Sequence, residues 1–420
     1  MAETLMLMFN DQQSKWVAIT FLALNFLFIG TAEAGESPRE IASRLYKRIT
    51  GTPLALDAPE RSEMESLIRR GKIEDAAMIA VANDNFLNVT VKQWATPLMH
   101  RDHALQNEMN DGIATIIGMV RDDVDFRDVL SADVVYHAPA ARLAGMGFNN
   151  FPARSPNNNQ HYQRLDSEMV NLAEALEATP QGTDYAAGVL TTRAWGQSHL
   201  IAGTNRRALE MVFDQFLCTP LLGMSDTTKA DTFVRRDVTR EPGGVGAVFR
   251  NKCQGCHAGM DSLGGAFSYF EYIEGNNGTG RIYHSSQDQN SNVNNADGQP
   301  LFDANGVANK MNRAGDVFPT GRVTADNYWK NVWTDNKAIG WRGNVFEGYG
   351  PKSMGQMMAN TKAFSSCMAM RTFQTVCGRE MAPSERDILV GYGEDFERKG
   401  YNVKKLFAKV AASPLCTKIQ

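Results

Sequence analysis

The sequence predicts a mainly α-helical fold. Apolar residues recur at spacings of three and four in many segments of the chain, as in Ile41, Leu45 and Ile49, which is the pattern of a buried helix face. Good helix-capping residues such as Asn402 stand immediately before such segments. By contrast, only residues 133–136 form a short strand candidate.

The first half of the chain divides into helical segments. A helix over residues 38–49 is followed by a second that opens at Pro59 and ends at Gly71, and by a third over 73–81. Residues 104–120 carry a long apolar stripe and predict a buried helix. Further on, Ser167 and Thr204 are expected N-caps, the second for a helix over 205–216.

The second half contains a long polar segment and then more helices. Residues 276–300 are rich in Asn and poor in apolar residues, so we expect an exposed loop there. A helix is expected over 364–376. Residues 384–387 resemble a capping box that opens another helix, and Asn402 is expected to cap a third.

The beginning of the chain has the pattern of a secretory signal peptide. The apolar run at residues 16–30 follows Lys15, and the small residues at 32–34 form a cleavage motif, so the expected mature chain starts at Gly35. The run is shorter than the ~20 residues that a spanning helix needs. We therefore expect a periplasmic or secreted protein with no transmembrane segment after cleavage.

The charge of the chain gives no sign of a nucleic-acid partner. Its formal net charge is −4 over 420 residues, and no dense basic tract is present. We expect a protein that binds no nucleic acid.

The most informative stretch is residues 253–257, Cys-Gln-Gly-Cys-His. Two thiols about one helical turn apart can each form a thioether with a haem vinyl group, and the next His can bind the iron. The pattern therefore predicts one covalent haem c, with Cys253 and Cys256 as anchors and His257 as the proximal ligand. A zinc site would need more Cys or His ligands nearby. A redox dithiol usually lies near a strand-crossover-strand pattern, which is not visible here, and a structural disulfide would leave His257 unexplained.

The second axial ligand is less defined by the sequence. Met311 follows His257 at a separation that resembles the one between the two iron ligands of simple cytochromes c. Met260 is too close to His257 to reach the opposite haem face. The alternatives to Met311 are His199, His284, Met354, Met357, Met358 and an open position.

Four cysteines lie outside this motif. Cys367 and Cys377 would be roughly 15 Å apart on one helix, too far for a bond. In an exported protein we expect Cys416 to join one of these two and Cys218 to join the other or remain free.

Several segments together resemble a known family. The chain is similar to the planctomycete-type exported c-type cytochromes, which have a single haem domain followed by a small helical C-terminal domain. The matching segments are 206–210 (Arg-Arg-Ala-Leu-Glu), 216–220 (Phe-Leu-Cys-Thr-Pro), 253–264, 364–367, 378–380, 400–401 and 406–413. Ser262 stands where the family usually has Pro. The resemblance implies a haem c protein outside the cytoplasm.

These observations predict the following organisation. A signal peptide (1–34) precedes a helical N-terminal domain (35–222), a cytochrome c-like haem domain (223–350) with an inserted loop (276–300), and helices at 351–420 that complete the haem domain. The expected function is electron transfer with an unknown redox partner protein, rather than catalysis. The alternatives are a peroxidase-like haem enzyme with an open sixth position, and a non-catalytic surface binding protein in which haem is structural.

Overall fold

The computed structural model describes residues 36–100, 107–201, 205–231, 247, 249–311 and 324–416, and it is mainly α-helical, as the sequence predicts. The expected signal peptide (1–34), the first residues of the apolar stripe predicted from residue 104, and the expected cap Thr204 lie outside the described residues. No helix in the described ranges is both long enough and apolar enough to cross a bilayer.

The first three helices form as predicted. Ser37 caps the first helix and Glu40 completes a capping box, whereas Gly51 ends the helix in the left-handed conformation that glycine adopts without strain. These helices are α1 (Pro38–Thr50), α2 (Pro59–Arg69) and α3 (Ile73–Val81).

The middle of the chain is built from shorter helices. The helix predicted from residue 104 begins only at Asp111, because the Asn110 side chain caps it there and residues 107–110 are not helical. The expected cap Ser167 is instead the last residue of a helix, and Asn171 caps the next one, so that prediction was wrong. These helices are α4 (Lys92–Ala95), α5 (Asp111–Arg121), α6 (Ala140–Gly145), α7 (Gln160–Ser167), α8 (Leu172–Ala175), α9 (Arg193–His199), α10 (Arg206–Met211) and α11 (Gln254–Gly264).

In the described parts of the chain, strands form three separate two-stranded antiparallel sheets. One of them corrects the prediction of an exposed loop at 276–300, because residues 280–284 pair along their whole length with 270–274. Gly280, Ile282 and His284 point inward, and the polar residues between them hide this alternation in the sequence. The sheets are β1 (Val135–His137) with β2 (Glu177–Thr179), β3 (Phe270–Glu274) with β4 (Gly280–His284), and β5 (Tyr328–Lys330) with β6 (Glu347–Tyr349).

The C-terminal helices follow the predicted order. Asn402 caps the last helix, as expected, and Thr361 caps the long one. The capping box predicted at residues 384–387 is replaced by a contact further upstream. There the Glu385 carboxylate accepts the Ala382 N–H. The helices are α12 (Ser285–Asp288), α13 (Gly350–Ala359), α14 (Lys362–Cys377), α15 (Arg386–Arg398) and α16 (Val403–Ala411).

One large hydrophobic cluster unites the described segments. It contains residues of the predicted N-terminal domain, of the helix that carries the Cys-x-x-Cys-His motif and of the C-terminal helices. Within it, α16 packs on α3, and α14 packs on both α15 and α16. The Cys-x-x-Cys-His motif at the start of α11 is therefore fixed to a single continuous core.

Two disulfide bonds reinforce this arrangement. Cys218 is joined to Cys367, and Cys377 is joined to Cys416, with Cα atoms 5.2 and 5.0 Å apart. The pairing agrees with the expectation that Cys416 joins one cysteine of α14 and that Cys218 can take the other. The bond between Cys218 and Cys367 attaches the segment before the Cys-x-x-Cys-His motif to the C-terminal helices.

Candidate functional site

The Cys-x-x-Cys-His motif lies at the beginning of α11. Cys253 occupies the N-cap position, and Cys256 and His257 follow within the first helical turn. All three side chains are partly exposed. A single ligand can thus approach both thiols and the imidazole from the same end of one helix.

The two motif cysteines form no disulfide, in a protein that forms disulfides elsewhere. Cys253 and Cys256 are free, whereas the four other cysteines pair with one another. The Cys256 thiol donates to the Leu221 carbonyl at 3.4 Å. The motif sulfurs are therefore available for covalent chemistry.

The turn between the two cysteines is tightly packed. A Cβ atom on Gly255 would lie 2.4 Å from the Ser225 hydroxyl oxygen, so only glycine fits there. The Asp226 N–H donates to the Gly255 carbonyl at 3.2 Å, and the Gln254 amide donates to the Lys229 carbonyl at 2.7 Å. Residues 221–229 thereby fix the geometry of the motif.

His257 contacts a buried carboxylate one helical turn further along α11. Its Nδ1 lies 3.3 Å from an Asp261 carboxylate oxygen. Asp261 is fully buried, and Arg206 donates to its two oxygens at 2.5 and 3.2 Å. This chain of contacts joins the motif histidine to helix α10.

Asn205 places Arg206 beside Asp261. Its backbone has a φ of 58°, a left-handed value that Asn tolerates better than most residues. Its buried side-chain amide donates to the carbonyls of Phe267 and Phe270, just after α11. The start of α10 is therefore anchored to the segment that follows the motif helix.

The side of α11 around Gly259 packs against an indole ring. A Cβ atom on Gly259 would lie 2.3 Å from carbon atoms of the Trp333 ring. Trp333 is buried and packs edge-to-face on Phe213, with ring centroids 5.6 Å apart. Among the described residues its N–H has no acceptor, which a bound anionic group could supply.

A second acid approaches His257. Asp231, His257 and Asp261 each offer a ligand atom, and these atoms lie within 4.8 Å of one another. One imidazole and two carboxylates form a donor set that suits several divalent metal ions. No sequence pattern predicts this cluster, because Asp231 is far from the motif in the chain.

Met311 lies in a different part of the protein core. It is fully buried in a small cluster with Leu301, Phe302, Val307 and Ala308. In the described ranges this cluster shares no residue with the contacts of His257 given above. Met311 as the distal ligand stays a prediction, since residues 312–323 beside it lie outside the described residues.

The alternative distal ligands are also buried. His199 packs edge-to-face on Trp195, with ring centroids 4.4 Å apart, and His284 stacks on Tyr185 at 4.1 Å. The three methionines of α13 are Met354, Met357 and Met358, and all belong to the main core. Met357 accepts a hydrogen bond from the Asn331 amide.

The residues of the motif fit a covalent haem. Two cysteines without a disulfide lie one turn apart, and the adjacent imidazole is held at Nδ1, so that Nε2 is the nitrogen expected to face iron. A carboxylate that orients a ligating histidine is the usual partner of such a ring. The spacing of His257 and Asp261, four residues apart, could have revealed this contact from the sequence, whereas Arg206 and Asp231 had no local signal.

No protein-family model, curated protein or solved structure matches the chain. The assignment of a function consequently depends on the chemistry of the site.

Proposed function

We propose that the chain is an exported mono-haem c-type cytochrome that transfers electrons, located in the periplasm or secreted. Its haem is attached through Cys253 and Cys256, and His257 is the proximal ligand. The single observation that carries the proposal is the placement of two thiols without a disulfide, Cys253 and Cys256, one helical turn apart beside His257, in a chain whose four other cysteines form disulfides.

Each motif residue has a defined part in holding the cofactor. When bound, a haem supplies an iron that takes up and releases one electron. Cys253 and Cys256 fix its position by thioether bonds, and the packed turn at Gly255 keeps the two sulfurs one helical turn apart. Asp261 orients the imidazole of His257.

The attachment can be tested on protein exported from a host that matures c-type cytochromes. The full chain is run on a denaturing gel and stained for haem peroxidase activity. We expect a stained band for the parent, a weaker one for Cys253→Ala or Cys256→Ala, and none for the double variant.

The double variant Cys377→Ala/Cys416→Ala is the matched control. It also loses two cysteines, but they belong to a disulfide rather than to the motif. We expect it to keep the stain. An unstained parent, or a stain that persists in the motif double variant, would contradict covalent haem attachment. N-terminal sequencing of the same material should give Gly35 as the first residue, and an intact N-terminus would contradict the proposed cleavage.

A second candidate function is the binding of a divalent metal ion. The observation that favours it is the approach of Asp231 and Asp261 to His257. Metal analysis of the exported protein separates the two: a haem protein contains one iron and one haem per chain, whereas a simple metal site contains a metal without haem. Asp231→Asn should abolish metal binding in the second case and leave the haem stain unchanged in the first.

A further inference from the structure

We propose that Asp261 is a positioning residue that strengthens the donation of electrons from His257 to the haem iron and so lowers the reduction potential of the haem. The inference depends on the proposed function, because it concerns the proximal ligand of the attached haem. It goes beyond that function by naming the group that sets the potential.

The first step is the place of Asp261 on α11. Residues four apart on a helix lie on one face, and Asp261 follows His257 at that spacing. The Nδ1 of His257 lies 3.3 Å from the Asp261 carboxylate. A carboxylate at this nitrogen fixes the ring orientation and raises the basicity of the other ring nitrogen.

The second step is the burial and charge of Asp261. Its side chain is fully inaccessible to solvent, so its interaction with the imidazole is little screened by water. A buried carboxylate needs a partner to stay ionised, and the two hydrogen bonds from Arg206 supply one. Arg206 is in turn held by the anchoring of Asn205 to the carbonyls after α11.

The third step is the effect on the iron. A more basic axial imidazole favours the ferric over the ferrous state, since the ferric state carries one more positive charge. Hydrogen bonding around the axial ligands is among the protein features that set haem potentials. Reduction adds one electron, supplied by the redox partner protein, and leaves the covalent bonds of Asp261 and His257 unchanged.

The test is a potentiometric titration of Asp261→Asn, monitored by the visible haem bands, with chemical mediators as electron donors. The amide keeps the shape of the side chain but removes its charge. We expect the ratio of reduced to oxidised protein at a fixed potential to rise at least tenfold, which corresponds to about 59 mV for a one-electron couple. An unchanged midpoint potential would overturn the proposal.

Asp288→Asn is the matched control. Asp288 also pairs with an arginine, Arg281, at 2.7 Å, and its side chain is only 10% exposed. It lies on α12, outside the motif helix. We expect this variant to lose stability with its ion pair while keeping the parent midpoint potential; an equal rise in both variants would mean that the effect is not specific to His257.

A measurement on the parent protein tests the proposal even if the Asp261→Asn variant fails to fold. In reduced protein with ¹⁵N-labelled histidine, we expect the one-bond ¹⁵N–¹H coupling at His257 Nδ1 to be smaller than in a histidine bonded to a neutral carbonyl. An ordinary coupling would overturn the proposal. If the parent protein carries no haem, both this inference and the proposed function are wrong. If the parent carries haem but Asp261→Asn has an unchanged potential, only this inference is wrong.

Discussion

Lys310 and Glu271 form an ion pair of 2.6 Å in which both side chains are almost completely buried, at 3% and 5% exposure. Lys310 also donates to the Leu200 carbonyl at 2.7 Å. The pair thereby joins the turn that contains Met311 to strand β3 and to the end of α9. Such a pair is expensive to break, because each charge has left water for the protein interior.

We therefore expect Lys310→Met to lower the free energy of unfolding by about 3–5 kcal/mol, the usual cost of leaving a buried charge without its counter-ion. Chemical denaturation followed by circular dichroism measures this change. The double variant Lys310→Met/Glu271→Leu should recover most of the loss, because it removes both charges.

Lys362→Met is the control for this experiment. Lys362 pairs with Glu394 at 2.8 Å, but about half of each side chain is exposed to solvent. Removing an exposed pair should leave the free energy of unfolding almost unchanged. Equal losses in Lys310→Met and Lys362→Met would show that burial of the first pair has no energetic consequence.

His284 should make the protein sensitive to acid. Burial lowers the pKa of His284 to about 4, from an ordinary value of 6.5, although Asp184 and Asp288 act in the opposite direction. As the pH falls below 6.5 the unfolded chain binds a proton that the folded protein does not. Stability should thus decrease between pH 6.5 and 4, by roughly 3 kcal/mol in total, and level off below pH 4.

The measurement compares the free energy of unfolding at pH 7 and pH 4.5 for the parent and for His284→Gln. Burial also lowers the pKa values of His137 and His161. These two histidines therefore add the same acid sensitivity to the parent and to the variant. We expect a smaller acid-induced loss in His284→Gln and an unchanged one in the control His100→Gln, a histidine that is partly exposed. If His284→Gln retains the acid sensitivity of the parent, the assignment to His284 is wrong.

Met311 can be tested as the distal ligand by the substitution Met311→Leu, which keeps the volume of this buried side chain. If its thioether binds iron, the oxidised parent shows an iron–methionine charge-transfer band in the near infrared, and we expect the variant to lose it. Met64→Leu, at an equally buried methionine of α2, should keep the band. A band that survives in Met311→Leu rules out Met311.

Gly259 should be intolerant of any side chain. A Cβ atom there would approach the Trp333 ring to 2.3 Å, so we expect Gly259→Ala to destabilise the protein by about 1–3 kcal/mol through overpacking. Gly264 is a control on the same helix, with no atom within 4 Å of its added Cβ. Gly264→Ala should be neutral or stabilising in thermal unfolding, and the prediction fails if the two substitutions have the same effect.

The helices were predictable where apolar residues recur on one face, as in α1 and α14, and most clearly where a cap precedes them, as in α16. Strand β4 was not, because its inward positions include a glycine and a histidine, and Asn-rich flanks surround it. Ser167 was mistaken for a cap because Asn171, four residues later, is the one whose side chain accepts the Ala173 N–H. Local composition could not separate these two candidates.

The site was predictable only as far as covalent chemistry fixes it. Attachment of haem demands a set spacing of Cys253, Cys256 and His257, and that spacing is visible in the sequence. Arg206 and Asp231 approach His257 and Asp261 through tertiary packing. No local sequence pattern around Arg206 or Asp231 indicates that contact. The distal ligand is equally undetermined, since any of several buried residues could supply it.

The bond between Cys218 and Cys367 has a consequence for the order of events during biosynthesis. If the chain emerges from the N-terminus, Cys253 and Cys256 become available to Cys218 well before Cys367, which follows it by 149 residues. Closing the shorter loop would cost less entropy, on the order of 1 kcal/mol. Oxidation that is too early would therefore trap the motif thiols in wrong bridges. Maturation has to keep these thiols reduced until Cys367 has arrived, or to consume them in haem attachment first.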